Sequence, residues 1–376
     1  MDFSFSEEQR AAQSLAEDLL APNSASKRDA PAPPSGDEWF DRETWRVLAE
    51  ANLLGLGLAE DVGGSGLSFT ETCAVLEVQG RHLARVPLAD TSAVAAPAID
   101  IFGSAALRSA VLPRVVSGDA VLSAALVEPR GYDPTRLETV ATADGAGGWS
   151  ITGEKLCVPF ARDAERVLVP ARVGENDVAV FAVDPRTDGV QLERAETTNG
   201  QPEFRMVLTD ARVGGDDVLS GAPGSQVLAW LLDHSTVAAC AVQLGVAEQA
   251  LQMTAAYTSE REQFGRPIAT FQAVAMQAAD AYIAVECIRS TLWQAAWCLA
   301  TGRPVEQAVS VAKYWASDGG QKVTAIAQHL HGGIGVDTDY PLHRYTLWSK
   351  HNELHLGGGH AQLARIGAAL AHGTAE

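Results

Sequence analysis

Apolar residues between Ser6 and Ile101 recur at intervals of three and four: Leu15, Leu19 and Leu20, then Trp39, Trp45, Leu48 and Leu53, then Cys73, Val75, Leu76 and Val78. This spacing puts them on one face of successive helices, punctuated by a proline-rich loop (Pro31, Pro33, Pro34) and the glycine loop Gly63-Gly64-Ser65-Gly66. From about Val121 to Leu219 the pattern changes to short β-rich runs split by Gly, Asp and Pro: Val121–Val127, Trp149–Thr152, Arg166–Val169, Val178–Val183, Val190–Leu192 and Phe204–Leu208. Strands this close together, with no helical pattern between them, predict a small antiparallel barrel or sandwich. Helical periodicity returns near Ser225 and predicts long helices over 225–258, 271–300, 305–331 and 342–356, then a last one over 361–370. The expectation is an α+β chain in three parts: an all-helical domain over 1–118, a β domain over 119–222 and a helical bundle over 223–376.

Composition narrows the class of function. The chain has 376 residues and a net charge of −19, so it is long enough for two or three packed domains and too acidic to favour nucleic acid or an anionic membrane. Any anionic ligand must be met by a local pocket. The start, Met1 to Glu8, has neither a basic n-region nor an apolar h-region, so export is not expected. Apolar runs such as 120–127 and 237–242 are far shorter than the ~18 residues of a membrane span. Cys73, Cys157, Cys240, Cys287 and Cys298 form an odd set without a C-x-x-C pair, which predicts buried thiols in a reducing cytoplasm.

Two stretches carry candidate chemistry. In Arg261-Glu262-Gln263-Phe264-Gly265-Arg266-Pro267-Ile268, followed by Phe271-Gln272, a helix ends at an Arg and the chain turns before a second helix. A guanidinium suits a bidentate grip on phosphate oxygens, and Phe264 can cover an apolar ring edge. A plain helix–turn–helix with solvated charges accounts for the same composition. The second stretch, His329-Leu330-His331-Gly332-Gly333-Ile334-Gly335, closes another long helix; paired glycines admit a close ligand, but glycine is also the commonest helix C-cap.

Taken together, five ordered segments resemble the acyl-CoA dehydrogenase family over nearly the whole chain: Phe3 to Gln9, Gly55 to Phe69, Ile151 to Lys155, Arg261 to Gln272, and His331 to Pro341. In that family Arg-x-x-Phe, a downstream Gln and the Gly-Gly turn hold the adenosine diphosphate end of an FAD whose flavin lies in the neighbouring subunit. The resemblance therefore implies FAD contacts for Arg261, Phe264, Gln272, Gly332 and Gly333, with His329 standing where the family usually has Gln.

The chain departs from the family where chemistry is done. The α,β-dehydrogenation of a thioester needs a carboxylate base beside the flavin, and the two positions that supply it in the family read Leu356 and Ser235 here. The loop after Glu128-Pro129 reads Arg130-Gly131-Tyr132-Asp133-Pro134 rather than a Gly/Ser/Asp-rich run. Cys157-Val158-Pro159 replaces a Trp-Ile-Thr type run that contacts the flavin, and Pro159 has neither N–H nor hydroxyl to offer.

The half that reaches into a neighbour's cofactor is thus kept while the ring-binding half is dismantled. The chain is most similar to the base-less subunits of the α2β2 enzymes of actinobacterial steroid side-chain catabolism, notably over Val336 to Tyr345 and at Leu356-Gly357-Gly358. This implies a non-catalytic subunit of an FAD-dependent acyl-CoA dehydrogenase. Its catalytic partner would bind most of the acyl-CoA, and an electron-transfer flavoprotein or other acceptor would take the electrons. Two alternatives stand beside it: a self-sufficient homotetramer using Glu353 as base, and a flavin-free binding protein on the same scaffold.

His351-Asn352-Glu353-Leu354-His355, with His360 nearby, imitates a zinc helix. Glu353 lies about 200° around the helix from His351, given ~100° per residue, so it cannot act beside a metal as the Glu of H-E-x-x-H does. A solvated or interface helix is expected instead, with no metal.

Overall fold

The computed structural model describes residues 5–28, 39–129 and 136–371. The proline-rich loop, Phe3, Ser4 and the Arg130 to Pro134 loop lie outside them. The chain divides into two compact units.

One unit comprises the described residues of 35–72 and 85–235. Its sheet has the order β1-β4-β2-β3-β7-β6, with β5 also on β4. The strands are β1 (Val121–Ala124), β2 (Val140–Ala143), β3 (Trp149–Pro159), β4 (Ala164–Val173), β5 (Asp177–Val183), β6 (Val190–Ala195) and β7 (Glu203–Val213). The pairings are antiparallel, except that β1 and β2 each run parallel to β4. Inward residues Ile151, Val167, Val169, Phe181, Phe204, Met206 and Leu208 are fully buried together, as alternation along paired strands requires. Sequence pattern missed β2, a four-residue strand in which only Ala141 is buried.

Around the sheet lie α2 (Arg42–Glu50), α4 (Ala96–Phe102), α5 (Ala105–Val116) and a π-helical segment, Leu88–Ala95. Asp41 and Ser104 cap α2 and α5 by accepting from the N–H groups of Thr44 and Leu107. In the glycine loop a Cβ on Gly64 would lie 2.1 Å from the carbonyl oxygen of Leu58, so only glycine permits that crossing.

The Ile151 to Lys155 segment has a structural explanation. Lys155 is fully buried and donates from Nζ to Oε1 of Glu128 and to the carbonyl of Pro170, both at 2.7 Å. Glu128 also accepts from the backbone N–H groups of Glu138 and Thr139, so neither buried charge is left unsatisfied. Burial would raise the Glu128 carboxyl, but Lys155 and these N–H donors outweigh it and hold the group below the usual range.

The other unit comprises the described residues of 1–34, 73–84 and 236–376. It holds α1 (Glu7–Arg28), α7 (Gln272–Ala300), α8 (Glu306–His331), α9 (Leu342–Leu354), α10 (Gly359–Ala371) and most of two helices that begin in the other unit, α3 (Phe69–His82) and α6 (Gly224–Glu260). A reciprocal capping box opens α1: Gln9 N–H donates to Ser6 Oγ at 3.1 Å and Ser6 N–H to Gln9 Oε1 at 2.9 Å. A Cβ on Gly80 would come within 1.9 Å of the Val242 carbonyl, and one on Gly245 within 1.9 Å of the Glu77 carbonyl, so α3 and α6 cross backbone to backbone. Helix α6 is long and apolar enough to cross a membrane, contrary to the run lengths read above, but 78% of its apolar window is buried inside the protein. It is a core helix.

Cys73, Cys240 and Cys298 are buried as expected, Cys287 is half-buried, and Cys157 is exposed. The buried-thiol expectation fails at Cys157 because it occupies the bulge of β3, where the register slips between Lys155 and Val158 and its own φ is +51°.

Candidate cofactor corner

Helix α6 ends at Glu260, and the chain at once forms a two-residue hairpin, β8 (Glu262–Gln263) against β9 (Arg266–Pro267). The turn residues Phe264 and Gly265 have φ of +56° and +76°, the signature of a type I′ turn. Arg261 takes part through its backbone: its N–H donates to the Tyr257 carbonyl at 2.9 Å, and its own carbonyl accepts from Ile268 at 2.8 Å. The Phe264 ring stands 92% exposed, with the Phe271 ring beyond it at 6.1 Å edge to face. Gln272 follows as the first residue of α7.

The second motif reaches the same corner. Helix α8 ends at His331, whose buried ring stacks on Tyr257 with centroids 4.4 Å apart, one turn before Arg261 on α6. Nδ1 of His331 bonds the Ala327 carbonyl at 2.8 Å and Nε2 bonds the Tyr340 hydroxyl at 3.1 Å. Burial pulls the imidazole below its ordinary pKa, against the Ala327 bond, so the neutral ring is favoured. Tyr257 and His331 thereby join the Arg261 and Gly332 motifs, a link that spacing along the chain could not reveal. A tyrosine one turn before Arg261 and the second histidine of His-Leu-His were the available signals.

Arg261, Phe264, Gln272, His329, Gly332 and Gly333 are all exposed on this unit. Arg261 has no carboxylate at ion-pair distance among the described residues. Gly332 has φ +66° and ψ −140°, a conformation reserved for glycine, and a Cβ on Gly332 or Gly333 would meet nothing within 4 Å. A cation without a carboxylate partner, an uncovered aromatic face, an amide and an open glycine corner fit the phosphates and apolar edge of an adenine dinucleotide.

The positions that would touch a flavin ring do not fit one. Pro159 is buried and pairs with Glu203 across β3 and β7, and Ser123 donates to its carbonyl. Burial pushes Glu203 up to about 7 despite a hydrogen bond from the Cys157 thiol. Burial, then Glu203, pushes Asp90 of the π-helical segment up to about 7 as well. Pro159 itself has neither an N–H nor a hydroxyl to offer a flavin.

Neither usual base position regains a carboxylate through folding. Ser235 is buried and follows His234, whose ring stacks on Trp230 at 3.6 Å and meets Phe69 edge-on at 4.7 Å. Phe102 also packs edge-on against Trp230 at 5.7 Å, so apolar rings fill this region. Burial drops His234 to about 4. Leu356 lies half-buried in a left-handed turn (φ +54°) after α9. Just before it, the buried Lys313 donates to the carbonyls of Asn352 (2.5 Å) and Glu353 (3.3 Å), closing the C-terminal end of α9.

Among the described residues no group of three or more His, Cys, Asp or Glu side chains is placed to hold an ion. His351 and His355 lie 6.4 Å apart, and burial with the nearby Lys313 charge brings them to about 4 and about 3. An ammonium beside them opposes a second cation.

Comparison with known proteins agrees with this architecture. The acyl-CoA dehydrogenase N-terminal, middle and C-terminal domains match residues 6–119, 123–210 and 223–371. The chain belongs to the acyl-CoA dehydrogenase family of oxidoreductases. It is 40% identical to the acyl-CoA dehydrogenase FadE27 of Mycobacterium tuberculosis over 344 residues, covering 89% of this chain and 90% of the relative. Among solved structures, it is similar to a chain of a variant of the Tcur3481-Tcur3483 steroid ACAD, at TM-score 0.90 and 42% identity, with 98% of this chain and 99% of that one covered. It is also similar to a chain of the ChsE4-ChsE5 complex from Mycobacterium tuberculosis, at TM-score 0.91 and 37% identity, with 99% of each chain covered. Both structures contain two differently named subunits.

Proposed function

We propose that this chain is the base-less subunit of a heteromeric acyl-CoA dehydrogenase, and that it clasps the adenosine diphosphate end of an FAD whose flavin and proton acceptor belong to a partner subunit. The observation that carries the proposal is an asymmetry: every tail-binding residue is exposed and available, whereas both base positions lack a carboxylate. The bound FAD supplies hydride acceptance at the partner's site. Arg261 neutralises phosphate oxygens, the Gly332–Gly333 corner lets the backbone approach them, and Phe264 covers the apolar edge. Gln272 and His329 add hydrogen bonds. Similarity to a chain of the Tcur3481-Tcur3483 steroid ACAD supports a substrate with a bulky steroid-derived acyl group. In this reading the partner binds most of that substrate, and an electron-transfer flavoprotein or similar acceptor takes the electrons.

The reading is tested in the complex co-expressed with the catalytic partner. Arg261→Ala is expected to weaken FAD by about ten- to a hundredfold, since a charge-assisted phosphate contact contributes roughly 1.5–3 kcal/mol. Unchanged FAD affinity would refute it.

A further inference from the structure

Phe264 is an odd occupant of its position. A type I′ turn requires φ > 0 at both central residues and favours Asn, Asp or Gly at the first; a phenylalanine there is strained and has no local polar group to relieve it. Such strain persists only where surrounding contacts over-determine it. Backbone pairing between β8 and β9 is two residues long, so the hairpin itself contributes little.

The contact that does constrain it involves Arg266. Its guanidinium carbon lies 4.2 Å from the centroid of the Phe271 ring, and Phe271 meets Phe264 edge to face at 6.1 Å with an interplanar angle of 82°. Cation, ring and ring thus form a series of contacts, the guanidinium over the Phe271 face and the Phe271 ring edge to face with Phe264 at the hairpin turn. In a chain of net charge −19, Arg266 nevertheless has no carboxylate at ion-pair distance among the described residues. Its partner is an aromatic face, which a guanidinium can stack on while keeping its edge hydrated.

We infer that Arg266 is a positioning residue of the FAD clasp, acting through Phe271 to hold the exposed Phe264 ring in place before the cofactor arrives. This inference rests on the clasp reading above. Without these contacts the ring would sample other rotamers and the strained turn would relax, and FAD would bind only after both were re-ordered.

The test is FAD affinity in the complex with the catalytic partner, read by flavin fluorescence, for Arg266→Gln, Phe271→Leu, the double variant, Arg266→Lys and Arg261→Ala. Arg266→Gln should weaken FAD about three- to fivefold, matching an exposed cation–π contact. Phe271→Leu should do the same, and the double variant should be no weaker than the worse single one. Arg266→Lys should recover most of the loss. If Arg261→Ala loosens FAD but Arg266→Gln does not, the positioning role is wrong while the clasp stands. Should the Arg266 and Phe271 losses add independently, Arg266 contacts FAD by itself and the inference is overturned. If Arg261→Ala has no effect either, the clasp reading falls first.

Discussion

The carboxylate of Glu353 lies 2.5 Å from the ammonium of Lys350, one turn earlier on α9, and its backbone carbonyl is held by Lys313 and by Ser317 at 3.2 Å. The carboxylate beside the usual base loop is therefore engaged by a cation on its own helix. Glu353→Gln is expected to leave turnover of the assembled complex within about twofold of the parent. A large loss of turnover with the complex and its cofactor intact would instead identify Glu353 as a base.

Lys313 closes α9 from inside the protein, and burial lowers its pKa to about 8, so it is still mostly protonated at neutral pH. Lys313→Met removes donors from two carbonyls and should cost about 1–3 kcal/mol in denaturant unfolding. The same change removes the charge that helps depress His351 and His355, so their NMR titration midpoints should rise while remaining below 6.5, because burial persists. Unmoved midpoints would show that the ammonium does not face them.

His234 makes a pH-dependent contribution to stability of known sign. Its folded-state pKa, about 4, is depressed below the ordinary 6.5. Its contribution is therefore fully present above pH 6.5 and is lost as pH falls through about 4, because the unfolded chain takes up the proton first. His234→Phe keeps a ring on Trp230 and removes the titration. Between pH 6.5 and 4 the parent should lose about 3 kcal/mol more stability than this variant in urea titrations. Parallel stability curves would contradict the buried, neutral assignment.

The α3–α6 crossing predicts that Gly245→Ala is costly. The new methyl would overlap the Glu77 carbonyl, and neither backbone can retreat alone. A loss of about 2–4 kcal/mol in thermal or denaturant unfolding is expected. An alanine variant as stable as the parent would mean the helices are further apart.

Much of this was legible in the sequence because it is periodic. The helices α6, α7 and α8 begin and end within a few residues of the boundaries their apolar spacing predicts, and most strands fall on the β-rich runs. What escaped was set by contacts between distant residues. The parallel placement of β1 and β2 on β4 depends on sheet order, which no local pattern encodes. The Tyr257–His331 stack and the Lys313 cap join residues far apart in the chain. The cation–π contact of Arg266 reads along the chain as a solvated charge in a turn. Conversely, Lys155 of the Ile151 to Lys155 segment is held in a buried ion pair with Glu128, a structural role for one residue of a motif that carried the family resemblance.

The central claim is the division of one cofactor between unlike chains, and counting flavins tests it most directly. The complex with the catalytic partner should contain one FAD per pair of unlike subunits, and this chain purified alone should be colourless and unable to pass electrons from an acyl-CoA to an artificial acceptor. A homo-oligomer of this chain carrying one FAD per subunit and oxidising acyl-CoA would contradict the account.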